Sequence, residues 1–201
     1  MAKTLILLGV IAGVIGLDQL TKALAVIYLE GEPSFPIWQD VLHLTFVRNE
    51  GAAFGILSNH RWVFMIFSTI AIFALGVYLF RFSKEKFWAK IAIAMIIGGG
   101  IGNMIDRIVL GSVVDFIDFT LIHFAVFNVA DSFVCVGVGL LVLYLILSQV
   151  EEARKNKEKQ TATPIPAADA AELPLSPDAS EGQVNGEASG EERKDDRTDP
   201  E

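Results

Sequence analysis

Two aspartates in strongly apolar sequence have the residue type and the surroundings that acid–base chemistry requires. Asp115 follows one apolar segment and Asp131 lies about one turn inside the next, so a short connection can bring both carboxyl groups to one depth. Two neighbouring carboxylates do not both ionise easily; they share a proton, and one can act as base on a water while the other acts as acid. This pair supports peptide hydrolysis without a metal, although a loop turn and a helix N-cap explain the same two residues equally well.

Other polar residues in the apolar segments need partners, because an ionisable group at membrane depth costs on the order of 2.5 to 3.5 kcal/mol. Asp18 and Lys22 are spaced to share one face of a helix. They can neutralise each other near the interface, with Lys22 extending outward, or they can face a substrate. Gly99 and Asn103 share a face of another helix. The sequence leaves the choice between these roles open.

Several nearby residues are expected to have supporting roles or none. We interpret Asp106 and Arg107 as support for helix packing, in which Arg107 pairs with a carboxylate or binds a carbonyl. We expect Asp118 to take no part in the chemistry. His43 has no second His or Cys at ligand spacing, and no HExxH or phosphate-binding motif is present. We therefore expect neither a metal nor a cofactor.

The composition places these residues in a membrane protein. Hydrophobic residues make up 52% of the 201, and the mean hydropathy is +0.48, more than one soluble domain normally carries. The net charge of −8 arises in the C-terminal segment, because residues 161–201 hold eleven acidic and three basic residues. It says nothing about the site, and we expect no nucleic-acid partner. The single cysteine, Cys135, cannot form an intrachain disulfide, and we expect it to pack in buried apolar surroundings.

Four apolar segments are long enough to cross a bilayer as helices, which takes roughly 20 residues each. We predict these helices at about residues 4–29, 62–80, 87–108 and 126–147. The first is too long for a cleavable signal peptide. Lys3, a short basic turn near residue 84 and the basic residues after 150 fall on one side of the membrane. The positive-inside rule therefore predicts that both termini are cytoplasmic.

Two further stretches complete the predicted organisation. Prolines and alternating apolar residues predict a small extracytoplasmic β element at about residues 35–58, lying on the membrane. It ends in a glycine- and alanine-rich segment with Phe54, which can approach another surface closely. Residues 151–201 contain no aromatic residue and predict a disordered, acidic cytoplasmic tail. The fold class is thus an all-α membrane protein of four transmembrane helices with a small β element, carried by residues 1–150.

Five motifs in this order resemble those of the lipoprotein signal peptidases, also called signal peptidase II. The resemblance covers about residues 1–150 and excludes only the tail. The motifs are Asp18-Gln19-Leu20-Thr21-Lys22, Arg48-Asn49-Glu50-Gly51-Ala52-Ala53-Phe54, Gly98-Gly99-Gly100-Ile101-Gly102-Asn103-Met104-Ile105-Asp106-Arg107, Val113-Val114-Asp115-Phe116 and Phe127-Asn128-Val129-Ala130-Asp131-Ser132.

The resemblance implies an aspartic endopeptidase of the bacterial inner membrane that removes signal peptides from prolipoproteins. Such an enzyme cuts before a diacylglyceryl-modified cysteine, near the extracytoplasmic face, and is a target of globomycin. Asp115 and Asp131 match its catalytic pair. The partners implied are lipidated prolipoproteins and membrane lipid, and we expect a monomer. The positions that match substrate-binding or site-bracing residues are Asp18, Lys22, Asn49, Gly51, Phe54, Gly99, Asn103, Asp106, Arg107, Asn128 and Ala130.

Two other function classes explain parts of the sequence. A four-helix transporter or channel subunit would use Asp18, Asp106 and Asp131 to relay protons or bind a cation. It would not explain the β element or the five motifs. A non-catalytic assembly factor would need a tight protein partner and would tolerate Asp115→Asn. Cleavage of a lipidated prolipoprotein by the purified protein separates the peptidase from both alternatives.

Overall fold

The computed structural model describes residues 1–51 and 61–162, which form four long helices and one small sheet. A π-helical segment, Tyr78–Phe82, continues the second helix, and a 3₁₀ helix, Thr120–Ile122, precedes the fourth. In chain order the elements are α1 (Ala2–Leu29), β1 (Phe35–Trp38), β2 (Leu42–Asn49), α2 (Arg61–Val77), α3 (Phe87–Val109), β3 (Val113–Asp118) and α4 (Val129–Ala162). Phe54 and residues 163–201 lie outside the described residues.

Each of the four helices is long and apolar enough to cross a membrane. The prediction of four membrane helices with a small β element is therefore confirmed. The fourth helix begins at Val129 instead of residue 126 and continues to Ala162, past the point where we placed the start of the tail. Its first turn is fixed by Asn128, whose side chain accepts a hydrogen bond from the backbone of Asp131.

Helix α3 is the central element of the helical part. Half of its apolar stretch is buried, against 17% of that of α1 and 6% for each of the other two helices. The small residues Ala92 and Ala94 of α3 are fully buried, and Ile93 and Ile97 pack there with Leu7 of α1. The other helices expose large apolar side chains, which suits contact with lipid.

Two glycines of α3 allow polar residues of its neighbours to approach. A methyl group on Gly99 would collide with the carbonyl oxygen of Ala130 on α4. A methyl group on Gly102 would lie 2.5 Å from Oδ2 of Asp18 on α1. Small residues at helix contacts let backbones approach closely in membranes. The glycine-rich stretch of α3 thus brings the polar segments of α1 and α4 together.

The three strands form an antiparallel sheet in the order β1-β2-β3. In the pairing of β2 with β3, Val47 lies opposite Asp115 and Asn49 lies opposite Val113. The chain then returns to β3 just before α4, where Ile117 and Phe127 exchange backbone hydrogen bonds of 2.8 and 3.0 Å. This return places the start of α4 beside the strand that carries Asp115.

The strand β3 lies in the connection between the third and fourth membrane helices, where we predicted no strand. Val113 and Val114 are β-branched and buried, as strand residues often are. The strand that pairs with β3 is β2, which is distant in sequence, so local composition did not reveal the pairing. The described strands of the predicted β element end at Asn49, and residues 52–60 lie outside the described residues.

Candidate active site

Asp115 lies on β3 with only 2% of its surface exposed. Nδ2 of Asn49 donates to its Oδ2 at 2.9 Å, and Nδ2 of Asn128 donates to its Oδ1 at 2.7 Å. Burial raises the pKa of the Asp115 carboxyl to about 6, against the lowering effect of the hydrogen bond from Asn49. Asp115 therefore keeps a proton closer to neutral pH than an exposed aspartate does.

Asp131 lies in the first turn of α4 and is bound to the same asparagine. Its backbone N–H donates to Oδ1 of Asn128 at 2.9 Å, and the backbone N–H of Asn128 donates back to Oδ2 of Asp131 at 3.3 Å. This reciprocal pair is a capping box. Nδ2 of Asn103 donates to the other carboxyl oxygen at 2.7 Å. The structure thus brings Asp115 and Asp131 together on either side of Asn128.

Both aspartates line a cavity of about 520 Å³. Its polar lining consists mainly of amide, guanidinium and carboxyl groups, and the rest is mostly apolar. A concave, largely apolar site with a few convergent polar groups is typical of ligand binding. Its lining residues are Asn49, Asn103, Arg107, Val113, Asp115, Phe119, Ile122, Phe124, Ala125, Val126, Phe127, Asp131, Ser132 and Cys135.

A buried lysine lies behind the two aspartates. Nζ of Lys22 is 2.9 Å from Oδ2 of Asp18, 2.9 Å from Oδ2 of Asp106 and 2.8 Å from Oδ1 of Asn103. Lys22 is 3% exposed, so it does not extend outward to the interface. Neither it nor its two carboxylate partners lines the cavity. We call this group of Asp18, Lys22 and Asp106 the lysine cluster; its position suits a bracing role.

The two carboxylates of the lysine cluster also hold the backbone beside the aspartates of the cavity. Oδ1 of Asp18 accepts from the backbone N–H of Ala130 at 3.0 Å. Oδ2 of Asp106 accepts from the backbone N–H of Val114 at 3.2 Å. Ala130 and Val114 directly precede Asp131 and Asp115. One ion cluster therefore fixes the backbone on the N-terminal side of both.

Gln19 is a member of this network that the sequence analysis did not single out. Its Nε2 lies within hydrogen-bonding distance of Oδ1 of Asp106 at 2.9 Å, and of Oδ2 of Asp18 and the carbonyl of Gly102, both at 3.2 Å. An amide next to a charged residue in an apolar segment was the available signal, since it too needs partners there. Gln19 ties α1 to α3 beside the lysine cluster.

Arg107 contacts backbone carbonyls and lines the cavity. Its guanidinium donates to the carbonyl of Asn103 at 3.2 Å and to that of Gly51 at 3.5 Å. Gly51 also donates its N–H to Oδ1 of Asn49 at 3.0 Å. The Asp106 carboxylate is paired with Lys22 and not with its neighbour Arg107. Of the two sequence-level interpretations for Arg107, the carbonyl contact is the one observed.

Two other residues differ in their relation to the site. Asp118 accepts a hydrogen bond from Oγ1 of Thr45 at 2.9 Å and does not line the cavity. Cys135 is exposed on α4 and lines the cavity, so our expectation that it is buried was wrong. It lies one helical turn beyond Asp131, on the side of α4 that borders the cavity. In the described part of the chain, no group of three or more His, Cys, Asp or Glu is arranged to hold a metal ion.

The chain is similar to known proteins over most of the residues that form the helices and the sheet. A family model described as signal peptidase (SPase) II matches residues 10–147. The lipoprotein signal peptidase of Brevibacillus brevis is 47% identical over 146 residues, which cover 73% of this chain and 95% of the relative. That of Bacillus subtilis is 40% identical over 148 residues, covering 73% and 94%. A solved structure described as a bacterial membrane enzyme, determined by the in meso method, matches with a TM-score of 0.64 at 32% identity, covering 71% of this chain and 88% of its own. The chain therefore belongs to the signal peptidase II family of membrane peptidases.

Proposed function

We propose that this protein removes signal peptides from bacterial prolipoproteins and that Asp115 and Asp131 catalyse the cleavage. The observation that carries the proposal is the position of their two carboxyl groups, both bound to Asn128 at the wall of one cavity. Membership of the signal peptidase II family supplies the reaction class. A pair of carboxyl groups that shares a proton supplies both the base and the acid that peptide hydrolysis needs.

The proposed reaction uses one water and one shared proton. One carboxylate takes a proton from the water as the water oxygen attacks the carbonyl carbon of the scissile peptide bond. The other carboxyl gives its proton to the carbonyl oxygen, which forms a neutral tetrahedral intermediate. The C–N bond then breaks as the amine receives a proton from the carboxyl that served as base, and the first acid recovers its proton from the intermediate. The proton belongs to the pair of carboxyl groups as a unit.

The apolar part of the cavity suits a lipid-modified substrate. Phe119, Ile122 and Phe124 line it beside the two aspartates. On our proposal, the signal helix of the precursor enters from the bilayer, and the diacylglyceryl-modified cysteine is held at the membrane interface. Anchoring at this depth aligns the scissile carbonyl with Asp115 and Asp131 before the chemistry begins. Cleavage occurs just before the modified cysteine.

We propose that the cavity opens toward the extracytoplasmic face of the inner membrane and that both termini are cytoplasmic. Nζ of Lys3 lies 5.9 Å from the ring centre of Phe87, and Lys86 pairs with Glu151 at 3.0 Å. The start of α1, the start of α3 and the part of α4 around Glu151 therefore share one end. Basic residues cluster at this end, and the positive-inside rule assigns it to the cytoplasm.

All residues of the proposed site come from one chain, so a monomer suffices for the reaction. Phe54 remains our proposed substrate contact on the segment that follows Gly51, although that position lies outside the described residues. We further propose that residues 1–150 form the peptidase domain.

The test uses the purified protein in nanodiscs with a lipidated prolipoprotein and with the same precursor lacking the lipid. We expect cleavage of the lipidated form before its modified cysteine, much weaker cleavage of the other, and inhibition by globomycin. Absence of cleavage, combined with proton flux across vesicles that contain the protein, would instead support the transporter reading. Equal cleavage of both precursors would overturn the anchoring by lipid but not the peptidase activity.

A further inference from the structure

The asparagines around Asp115 have their amide orientations fixed by backbone groups. Oδ1 of Asn49 accepts from the N–H of Gly51, and Oδ1 of Asn128 accepts from the N–H of Asp131. A backbone N–H can only donate, so the NH₂ group of each amide must be the part that faces Asp115. Both carboxyl oxygens of Asp115 therefore meet hydrogen-bond donors.

The orientation of Asn103, which faces Asp131, is set by a side chain. The ammonium group of Lys22 can only donate, so the Asn103 atom 2.8 Å from Nζ must be the carbonyl oxygen. The NH₂ group then faces Oδ1 of Asp131 at 2.7 Å. Nδ2 of Asn128 adds a second donor to the same Asn103 oxygen at 3.0 Å. Lys22 thus does more than neutralise the two carboxylates that bind it.

We propose that Lys22 is a positioning residue that locks the Asn103 amide, so that Asn103 can donate a hydrogen bond to Asp131 but cannot accept one from it. The inference deepens the proposed function and rests on it. A protonated carboxyl needs an acceptor for its O–H, and the locked amide offers none at Oδ1 of Asp131. The shared proton therefore stays off Oδ1 of Asp131. It resides on the other carboxyl oxygens of the pair, where the reaction can use it.

The contacts of the Lys22 ammonium support this role. It pairs with the carboxylates of Asp18 and Asp106 at 2.9 Å, and it donates a hydrogen bond to Oδ1 of Asn103 at 2.8 Å. A lysine that served charge balance alone would not need the amide. At 3% exposure, Lys22 has little access to water as an alternative partner. The ammonium is therefore held in place on the side facing the amide.

A test of the lock must separate it from the electrostatic effect of the charged groups near the two aspartates. Arg48 on β2 is paired with Glu30 at 2.8 Å, and Asp118 on β3 is bound to Thr45. On the packed helices, Lys22 of α1 and Arg107 of α3 act electrostatically on the two aspartates. Asp18 and Asp106 contact Lys22 and the backbone N–H groups of Ala130 and Val114. Replacing Lys22 alone changes both the charge and the lock, so the two effects need separate variants.

The experiment compares Lys22→Met, Asp18→Asn and the double variant by the pH dependence of kcat/KM on a lipidated precursor. Loss of activity at low pH reports protonation of both carboxyls. Lys22→Met leaves Nδ2 of Asn128 as the remaining donor to Oδ1 of Asn103. If Lys22 is the group that locks the amide, Asn103 in this variant turns and accepts from protonated Asp131, and the acidic limb moves up by about one pH unit. Asp18→Asn keeps the lock and removes a negative charge. The acidic limb of its kcat/KM profile should therefore stay in place or move to lower pH.

The double variant decides between the lock and charge balance, because it has the same net charge as the wild type. The lock predicts that its acidic limb stays at higher pH, as in Lys22→Met. A return of the limb to the wild-type pH would overturn the lock and leave Lys22 a charge-balancing role. If Lys22→Met does not yield a monodisperse protein, the acidic limb of the double variant is compared directly with that of the wild type.

A second measurement does not depend on turnover. The infrared absorption of protonated carboxyl groups, assigned by its loss in Asp131→Asn, should titrate at higher pH in the double variant than in the wild type. Equal titration midpoints would overturn the inference. Failure of the proposed function looks different, because the wild type would then show no cleavage at any pH.

Discussion

The lysine cluster and the cavity each contain two aspartates, but the partners of these aspartates differ. Asp18 and Asp106 each contact the ammonium of Lys22 at 2.9 Å, away from the cavity. Within residues 1–51 and 61–162, the hydrogen bonds to Asp115 and Asp131 come from N–H groups of asparagines, in their side chains or backbone, and both aspartates line the cavity. Direct ion pairing fixes charge and geometry, whereas neutral amide donors fix geometry and leave the carboxyl group able to exchange a proton.

Their partners distinguish the carboxylates of the lysine cluster from the pair that we propose as catalytic more clearly than depth in the membrane does. Three of the four aspartates, Asp18, Asp106 and Asp115, are almost fully buried, so burial does not separate the two groups. What distinguishes the cavity pair is access to the cavity, together with the lack of an ion pair to any cation in the described part of the chain. The expected effects of substitution therefore differ in kind, with loss of turnover at the cavity and loss of stability at the lysine cluster.

The largest effect is expected at the cavity. Asp115→Asn and Asp131→Asn should each lower kcat/KM by at least about 1,000-fold, because an amide keeps the volume but cannot cycle a proton. Folding should persist, as judged by thermal unfolding in detergent. Asp118→Asn is the matched control on the same strand as Asp115 and should keep most of its activity. Similar losses at all three positions would contradict the assignment of the pair.

The next effect tests the lysine cluster. Asp106→Ala leaves Lys22 with one carboxylate and removes the acceptor for the N–H of Val114, so it should destabilise the protein by about 3–5 kcal/mol. The exposed pair Arg48–Glu30 provides the control, since Glu30→Ala should cost less than about 1 kcal/mol. The free energy of unfolding in mixed micelles measures both. Equally small losses in the two variants would show that burial of the lysine cluster does not increase its contribution to the free energy of unfolding.

A smaller effect is expected in the pH profile. Asn49→Ala removes a donor that favours ionised Asp115, so the pKa of Asp115 should rise above about 6. The limb of the kcat/KM profile that reports Asp115 should then move to higher pH by about one unit. Thr45 lies on β2, as Asn49 does, and donates a hydrogen bond to Asp118. Thr45→Val removes that bond and should leave the pH profile unchanged. A profile that is unchanged in Asn49→Ala would show that this amide does not act on Asp115.

The smallest effect is expected far from both groups. Deletion of residues 161–201 removes a polar segment that we place on the cytoplasmic side, opposite the cavity. The kcat/KM of the truncated protein should stay within about tenfold of the wild type, which corresponds to roughly 1.4 kcal/mol in the transition state. A larger loss, measured with the lipidated precursor, would show that the segment contributes to the active form.

Much of the membrane architecture could be predicted from local sequence. Apolar length predicted the four membrane helices, and alternation with prolines predicted β1 and β2. The strand β3 was missed because its hydrogen-bonding partner is β2, far away in the chain. The exposure of Cys135 was missed because apolar composition does not tell which side of α4 borders a cavity. The helical spacing of Asp18 and Lys22 predicted their ion pair but left open whether it faces substrate.

The sequence by itself determined the membrane class and the five motifs, because hydrophobic length and residue order are properties of the chain. It also supplied Asp115 and Asp131 as the candidate pair. Only the tertiary structure decided which carboxylates pair with a cation and which accept hydrogen bonds from asparagines. Those partners come from α1, β2, α3 and α4, so each contact depends on packing between segments that are distant in the chain. The physical reason is that charge compensation at a carboxyl group is set by atoms within a few ångströms, whatever their separation in sequence.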